Sequence, residues 1–151
     1  MINNNIYIYT DGACRGNPGP GGWGVLLVYA EAKKELYGFS PETTNNIMEL
    51  TAVIESLKTI KHKHPLIITT DSNYVKDGIT TWIKSWKINN WKTANKKPVK
   101  NKELWIQLNA ECRKHLVKWK WVKGHSGNQG NERADALANL AIDKFLSSED
   151  T

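Results

Sequence analysis

A chain of 151 residues, 40% hydrophobic and 24% charged, is long enough to bury a core and has the composition of a folded globular protein. No apolar run reaches the roughly 18 residues of a membrane span. The opening Met1-Ile2-Asn3-Asn4-Asn5 lacks the basic region and apolar stretch of a secretion signal, and Cys14 and Cys112 form neither a disulfide framework nor a C-x-x-C zinc site. The expectation is therefore a cytoplasmic protein of one domain, residues 1–151, with no membrane association.

The formal net charge of +6 and pI of about 9.3 point to a polyanionic partner. The charge is local. Residues 78–102 hold seven lysines (84, 87, 92, 96, 97, 100, 102) and no acid, and removing that +7 from the total leaves −1 for the rest of the chain.

Residues 6–10 alternate isoleucine and tyrosine, types that suit a partly buried strand. Asp11-Gly12 follows, then a stretch in which five of the next twelve residues are glycine, expected to be a loop. Residues 23–30 and 34–39 are the second and third strands, joined closely enough to be antiparallel neighbours. Residues 40–43, Ser-Pro-Glu-Thr, are expected to break the pattern. Thr44 is placed to cap a helix over 45–61, in which Ile47, Leu50, Val53, Ile54, Leu57 and Ile60 recur at helical spacing. At about 100° per residue these six cover an arc of about 140°, and Glu49 falls about 20° outside it, at the margin between core and solvent.

Leu66-Ile67-Ile68-Thr69-Thr70 is a short apolar strand of the kind covered on both faces, and it ends at Asp71. Ser72 can cap a helix over 73–80, with a second short helix over 81–87. A helix over 103–115 is expected to turn Leu104, Ile106, Leu108 and either Cys112 or Leu116 inward. Residues 116–123 alternate as a strand, with Val117, Trp119 and Trp121 on one face. After a Gly-rich loop, the last helix runs from 129 or 130 to 145, its inner stripe being Ala134, Leu137, Ala138, Ala141, Ile142 and Phe145. Residues 147–151 are expected to fray. The order β-β-β-α-β-α-α-α-β-α gives an α/β fold, a mixed five-stranded sheet with its first three strands antiparallel, flanked by helices.

Four acids stand in unusual places: Asp11 and Asp71 at strand ends, Glu49 at a helix margin, Asp135 on the last helix. If the first and fourth strands are parallel neighbours, Asp11 and Asp71 emerge at one sheet edge, where open α/β sheets bind ligands. Carboxylates gathered within about 4–6 Å repel unless cations neutralise them. A set of hard oxygen donors without thiolates favours Mg²⁺, with Mn²⁺ as a substitute. The Gly-rich stretch is not a P-loop, since it lacks G-K-[ST].

Six stretches in one order carry a resemblance: residues 9–14 with 16–24 (Tyr-Thr-Asp-Gly-Ala-Cys, then Gly-Asn-Pro-Gly-Pro-Gly-Gly-Trp-Gly); 43–46 with Met48-Glu49-Leu50; 70–75; 91–94 with 97–101; 121–127 (Trp-Val-Lys-Gly-His-Ser-Gly); and 131–135. Across nearly its whole length the chain resembles bacterial ribonuclease HI. The resemblance implies the ribonuclease H-like fold and an endonuclease that hydrolyses the RNA strand of RNA–DNA hybrids by two-metal-ion catalysis, leaving 5′-phosphate and 3′-hydroxyl ends. It implies Asp11, Glu49, Asp71 and Asp135 as metal ligands, His125 as a mobile catalytic histidine, and residues 78–102 as the family's basic protrusion. Asn73 stands where many bacterial members have Gln, and the loop after Gly127 reads Asn128-Gln129-Gly130.

Substrate contacts are expected from Cys14, Asn17, Thr44, Asn45, Asn46 and Asn73 near the acids, for sensing 2′-hydroxyls in a minor groove or holding the DNA strand. Others are expected from Trp82, Trp86, Lys87 and Lys97 in the basic segment, where lysines meet phosphates and rings pack on sugars or bases. The same tryptophans can equally be local core and the lysines a solvated face. A monomer acting on an RNA–DNA hybrid is the expectation; a hybrid- or double-stranded-RNA-binding module without catalysis, or another nuclease or strand-transfer enzyme with the same carboxylates, is the alternative.

Overall fold

The computed structural model describes residues 4–124 and 127–149. Five strands form one mixed sheet in the order β3-β2-β1-β4-β5. β1 (Ile6–Cys14), β2 (Gly19–Tyr29) and β3 (Ala32–Thr43) are antiparallel neighbours; β4 (Pro65–Thr70) runs parallel to β1, and β5 (Leu116–Trp121) parallel to β4. The core lies on one face of this sheet. Ile8, Val25, Leu27, Leu66 and Ile68 point into it from the strands, and Leu50, Val53, Ile54 and Leu57 from helix α1 (Asn45–Thr59). Four of the six stripe residues dock fully. Ile60 packs half-buried just past the helix, which ends at Thr59 and not at 61, and Ile47 is half-buried outside the cluster. Thr44 caps α1 by accepting a hydrogen bond from the Ile47 amide at 3.2 Å.

The other face is covered by α5 (Gln129–Glu149), which buries Ala134, Leu137, Ala138, Ala141 and Ile142 and stacks Phe145 on Phe39 at 3.6 Å. Its backbone lies almost on the strand: a Cβ on Gly24 would come 2.2 Å from the Ala134 carbonyl oxygen. The stretch expected as a loop is therefore largely strand. β1 continues to Cys14, β2 starts at Gly19, and they stay paired from Tyr7↔Val28 to Cys14↔Gly21. Glycine there answers a packing demand, not a turn demand.

Four other expectations are corrected. β3 continues through Ser40-Pro41-Glu42 to Thr43 with a shift of register at Pro41-Glu42, because it is the edge strand and proline is tolerated at an edge or a bulge. The helices expected over 73–80 and 81–87 are one broken helical run: α2 (Asn73–Asp77), a π-helical turn (Gly78–Trp82) and α3 (Ile83–Ile88). The helix expected over 103–115 is α4 (Lys102–Cys112), and its inward residues are Trp105 and Leu108, with Leu104, Ile106 and Cys112 only half-buried and Leu116 58% exposed. The tail expected to fray is helical through Glu149.

Trp105 deserves its place at the centre. It is fully buried, its indole N–H donates to the Tyr74 hydroxyl at 3.0 Å, and its ring lies where a Cβ on Gly78 would come within 2.0 Å. It thereby ties α4 and the π turn to the core.

Candidate active site

The parallel pairing of β1 with β4 stops at Tyr9↔Thr69, just before Asp11 on one strand and Asp71 beyond the other. The two acids thus leave the same edge of the sheet, as parallel strands require. Asp11 lies inside β1, not at its end, because β1 stays paired with β2 beyond this point, Asp11 opposite Gly24. Glu49 comes from the second turn of α1. That helix lies against β1 so closely that a Cβ on Gly12 would come 2.5 Å from the Glu49 amide nitrogen. Gly12→Ala would force strand and helix apart and separate Asp11 from Glu49.

Asp11, Glu49 and Asp71 each offer an oxygen atom, and these lie within 4.8 Å of one another. Asp11 is 7% exposed and Glu49 5%, so Glu49 is inside the protein and not at its margin. Asp135, on the second turn of α5, lines the same cleft of about 390 Å³, and Asn45, Asn46, Ser72, Asn73 and Tyr74 complete the wall. Asn139, one turn later, donates to the Asp135 backbone carbonyl at 3.0 Å and reaches its carboxylate at 3.4 Å.

Packing carboxylates together out of water has a cost, and protonation records it. Burial first, and then the Glu49 charge, push the Asp11 carboxyl up to about 11. Burial raises Glu49 to about 7 and the Asp71 charge adds to this, against hydrogen bonds from Asp11, the Ser72 hydroxyl and the Gly12 amide. Glu49 Oε1 is buried without a hydrogen-bond partner. An acceptor-only donor set of hard oxygens, one of them buried and unsatisfied, fits a divalent cation of the Mg²⁺ or Mn²⁺ type.

The other residues singled out in the sequence divide into two groups. Cys14, Asn17 and Thr44 do not line the cleft; they brace the chain beside it, Asn17 through Asn45, which does. The Cys14 thiol donates to the Gly16 carbonyl at 3.1 Å and the Thr43 carbonyl at 3.4 Å, and burial raises its pKa. The Asn17 side-chain carbonyl accepts from the Asn45 amide at 3.0 Å. Trp82, Trp86, Lys87 and Lys97 do not line the cleft. Trp82 packs on Tyr74 and on Trp86, whose ring lies 5.3 Å from that of Trp105, so the aromatic side of the basic segment is anchored in the core. Its lysines 84, 87, 92, 96, 97 and 100 are exposed. His125 lies outside the described residues. Two cleft residues, Ser72 and Tyr74, and Gly124 beside Asp71 were not singled out from the sequence. Ser72 was read only as the cap of α2, which it is, accepting from the Val75 amide at 3.1 Å; its contact with Glu49 is not visible in one dimension. Tyr74 carried no signal of its own. Gly124 was read as loop, yet a Cβ there would come 2.9 Å from Asp71 Oδ2.

The family model for RNase H matches residues 3–143. The chain belongs to the RNase H family. It is 60% identical over 141 residues to a ribonuclease H of Alcanivorax borkumensis, covering 93% of each chain. Among solved structures it is similar to LC9-RNase H1, described as a type 1 RNase H with the type 2 active-site motif, at a TM-score of 0.85 and 34% identity over 95% of this chain and 74% of that one. It is also similar to LC11-RNase H1, solved in complex with an RNA/DNA hybrid, at a TM-score of 0.71 and 27% identity over 93% of this chain and 99% of that one. The sheet order and the helices that cover it are those of the RNase H fold. Among the described residues, no helix of this RNase H is long and apolar enough to cross a membrane.

Proposed function

We propose that this protein is an endonuclease that hydrolyses the RNA strand of RNA–DNA hybrids with two divalent ions, Mg²⁺ in the cell and Mn²⁺ as a substitute, leaving 5′-phosphate and 3′-hydroxyl ends. The observation that carries the reading is the convergence of Asp11, Glu49 and Asp71 within 4.8 Å in a chain of the RNase H family. Asp11 is central, so it would be the ligand shared by both ions, with Glu49 and Asp71 completing one site and Asp135 serving the other. When bound, such a pair activates water, steadies charge on the phosphate and stabilises the leaving 3′ oxygen.

The protein's own residues would do the rest. Ser72, which favours the charged form of Glu49, and the Gly12 amide, which donates to Asp11 Oδ1 at 2.9 Å, hold those carboxylates toward the cluster. Asn45, Asn46 and Asn73 offer amide donors and acceptors to 2′-hydroxyls along the cleft, the feature that separates RNA from DNA. Cys14, Asn17 and Thr44 shape the chain beside the cleft that would receive the backbone. His125, between Gly124 and Gly127, would move a proton or assist release of product; an imidazole can give or take a proton within the physiological range, which suits both. Trp82, Trp86, Lys87 and Lys97 would hold the hybrid at a distance from the cut. We take residues 1–151 to act as one domain, as a monomer, in the cytoplasm.

The test is to offer RNA–DNA, RNA–RNA and DNA–DNA duplexes side by side, with Mg²⁺, with Mn²⁺ and with EDTA. Cleavage of the RNA in the hybrid alone, abolished by EDTA, is expected. Binding of hybrid without cleavage under any metal would make the protein a recognition module instead.

A further inference from the structure

β4 and β5 are parallel and end side by side at Thr70↔Trp121, and the ladder continues one step further, with the Val122 amide donating to the Thr70 carbonyl at 3.1 Å. The two chains then diverge, one into α2, the other through Lys123 to Gly124. Between them lies a second cavity, of about 290 Å³. Asp71, Ser72 and Asn73 line both this cavity and the carboxylate cleft, so they form the wall between the two. Lys76 and Lys123 stand on the far side of that wall, with Trp121 and Gly124.

The chemistry of this cavity differs from that of its neighbour. Its two cations are exposed, and neither forms a salt bridge among the described residues. Trp121 is stacked on Trp119 at 5.2 Å with the rings nearly parallel, so one of its faces is already taken. Two lysine ammonium groups, with the Asn73 amide beside them, suit a phosphate held as a point charge. The crevice lies beyond the carboxyl ends of two parallel strands, where α/β sheets bind ligands. It adjoins the carboxylate cleft directly, with Asp71 lining both. Gly124 keeps that wall thin, since any side chain there would press on Asp71. A nucleic-acid strand advances about 3.4 Å along its axis per phosphate. An anion in this cavity therefore sits one or two steps along the strand whose scissile phosphate faces the carboxylates.

We infer that Lys76 and Lys123 form a phosphate subsite for the cleaved strand, one or two nucleotides from the bond that is cut. This rests on the reading of the carboxylate cleft as the hydrolytic site. It also makes the enzyme sensitive to strand length on one side of the cut: linkages too near that end of the RNA leave the subsite empty.

The test uses a hybrid whose RNA strand has a short ribonucleotide window between 2′-O-methyl flanks, so that the cut is confined to one position. Single neutral methylphosphonate linkages are placed at successive positions in the flanks. Wild-type protein and Lys76→Ala/Lys123→Ala are compared by KM. The wild type is expected to lose about threefold to tenfold in KM for a neutral linkage at one or two positions on one side of the cut, the scale of exposed charge contacts. The double variant starts with KM raised by a similar factor, and neutralising the same linkage adds nothing. The subsite is wrong if that linkage costs both proteins the same, or if every position costs alike. Failure of the wild type to cut any hybrid would instead overturn the catalytic reading on which the subsite rests.

Discussion

Asp11 and Glu49 carry their charge inside the protein, 7% and 5% exposed and beside a third carboxylate, whereas the lysines of residues 78–102 carry theirs in water with no acid in the segment. The buried charges oppose one another and hold protons that ordinary carboxylates would have released. The exposed ones are screened, and each contributes little. The difference teaches where single substitutions should matter. A site that concentrates like charge out of water is poised for a cation, and each member is indispensable. A site that spreads charge over a surface is additive and redundant, and depends on its aromatic anchor more than on any one lysine.

The comparison would be broken most directly at Asp11. Asp11→Asn removes the proposed shared ligand, and hybrid cleavage should fall by about a thousandfold or more, while hybrid binding without metal persists. Near-normal cleavage rates would remove Asp11 from the mechanism. Trp105→Ala attacks the anchor of the other region. The loss of a fully buried indole should cost about 3–5 kcal/mol of stability in denaturant unfolding. It should also weaken hybrid binding by the surviving folded protein, because Gly78 and Tyr74 lose the ring that positions them.

A smaller effect separates the regions by pH. Both carboxyls are raised, so between the ordinary carboxylate range and their folded values the folded protein binds more protons than the unfolded chain. Stability of the metal-free protein therefore falls as pH rises, for Glu49 between about 4.5 and about 7 and for Asp11 across the whole neutral range. A divalent cation replaces those protons. Millimolar Mg²⁺ should raise Tm by more at pH 8 than at pH 5.5, and Asp11→Asn should raise the metal-free Tm at pH 8, each by about 2–4 °C per kcal/mol gained. A metal effect equal at both pH values would mean that binding does not compete with the cluster's protons. The smallest effect sharpens the contrast from the other side. Replacing Lys87, Lys92 and Lys97 together with Glu should raise KM for hybrid several-fold and flatten its salt dependence, with Tm almost unmoved. An unchanged salt slope would assign these lysines to solubility alone.

Much of this arrangement was legible in one dimension. The stripe of α1, the caps at Thr44 and Ser72, and the inner face of α5 followed from spacing, because helical periodicity and capping are local. The juxtaposition of Asp11 with Asp71 followed from one assumption, that β1 and β4 are parallel neighbours, which they are. What stayed hidden depended on partners far along the chain. The glycines from Gly19 to Gly24 signal a loop locally and become strand because other elements close on them, α5 on Gly22 and Gly24 and the side chains of Thr43 and Met48 on Gly21. Pro41 signals a break and is accommodated because β3 is an edge strand whose register shifts at that point. Trp105 went unnoticed because its partners, Tyr74 and Gly78, are some thirty residues away.

By itself the sequence determined the types and faces of the main elements, the donor set of the site and the placing of the cationic segment, all of which are matters of residue chemistry and short-range spacing. Tertiary structure alone decided that Glu49 is inside and not at the margin, and that its carboxylate comes within 4.8 Å of those of Asp11 and Asp71. The physical reason is Gly12. Without a side chain at that position, α1 can close onto β1 and shut water out from between two acids that would otherwise stay apart in solvent.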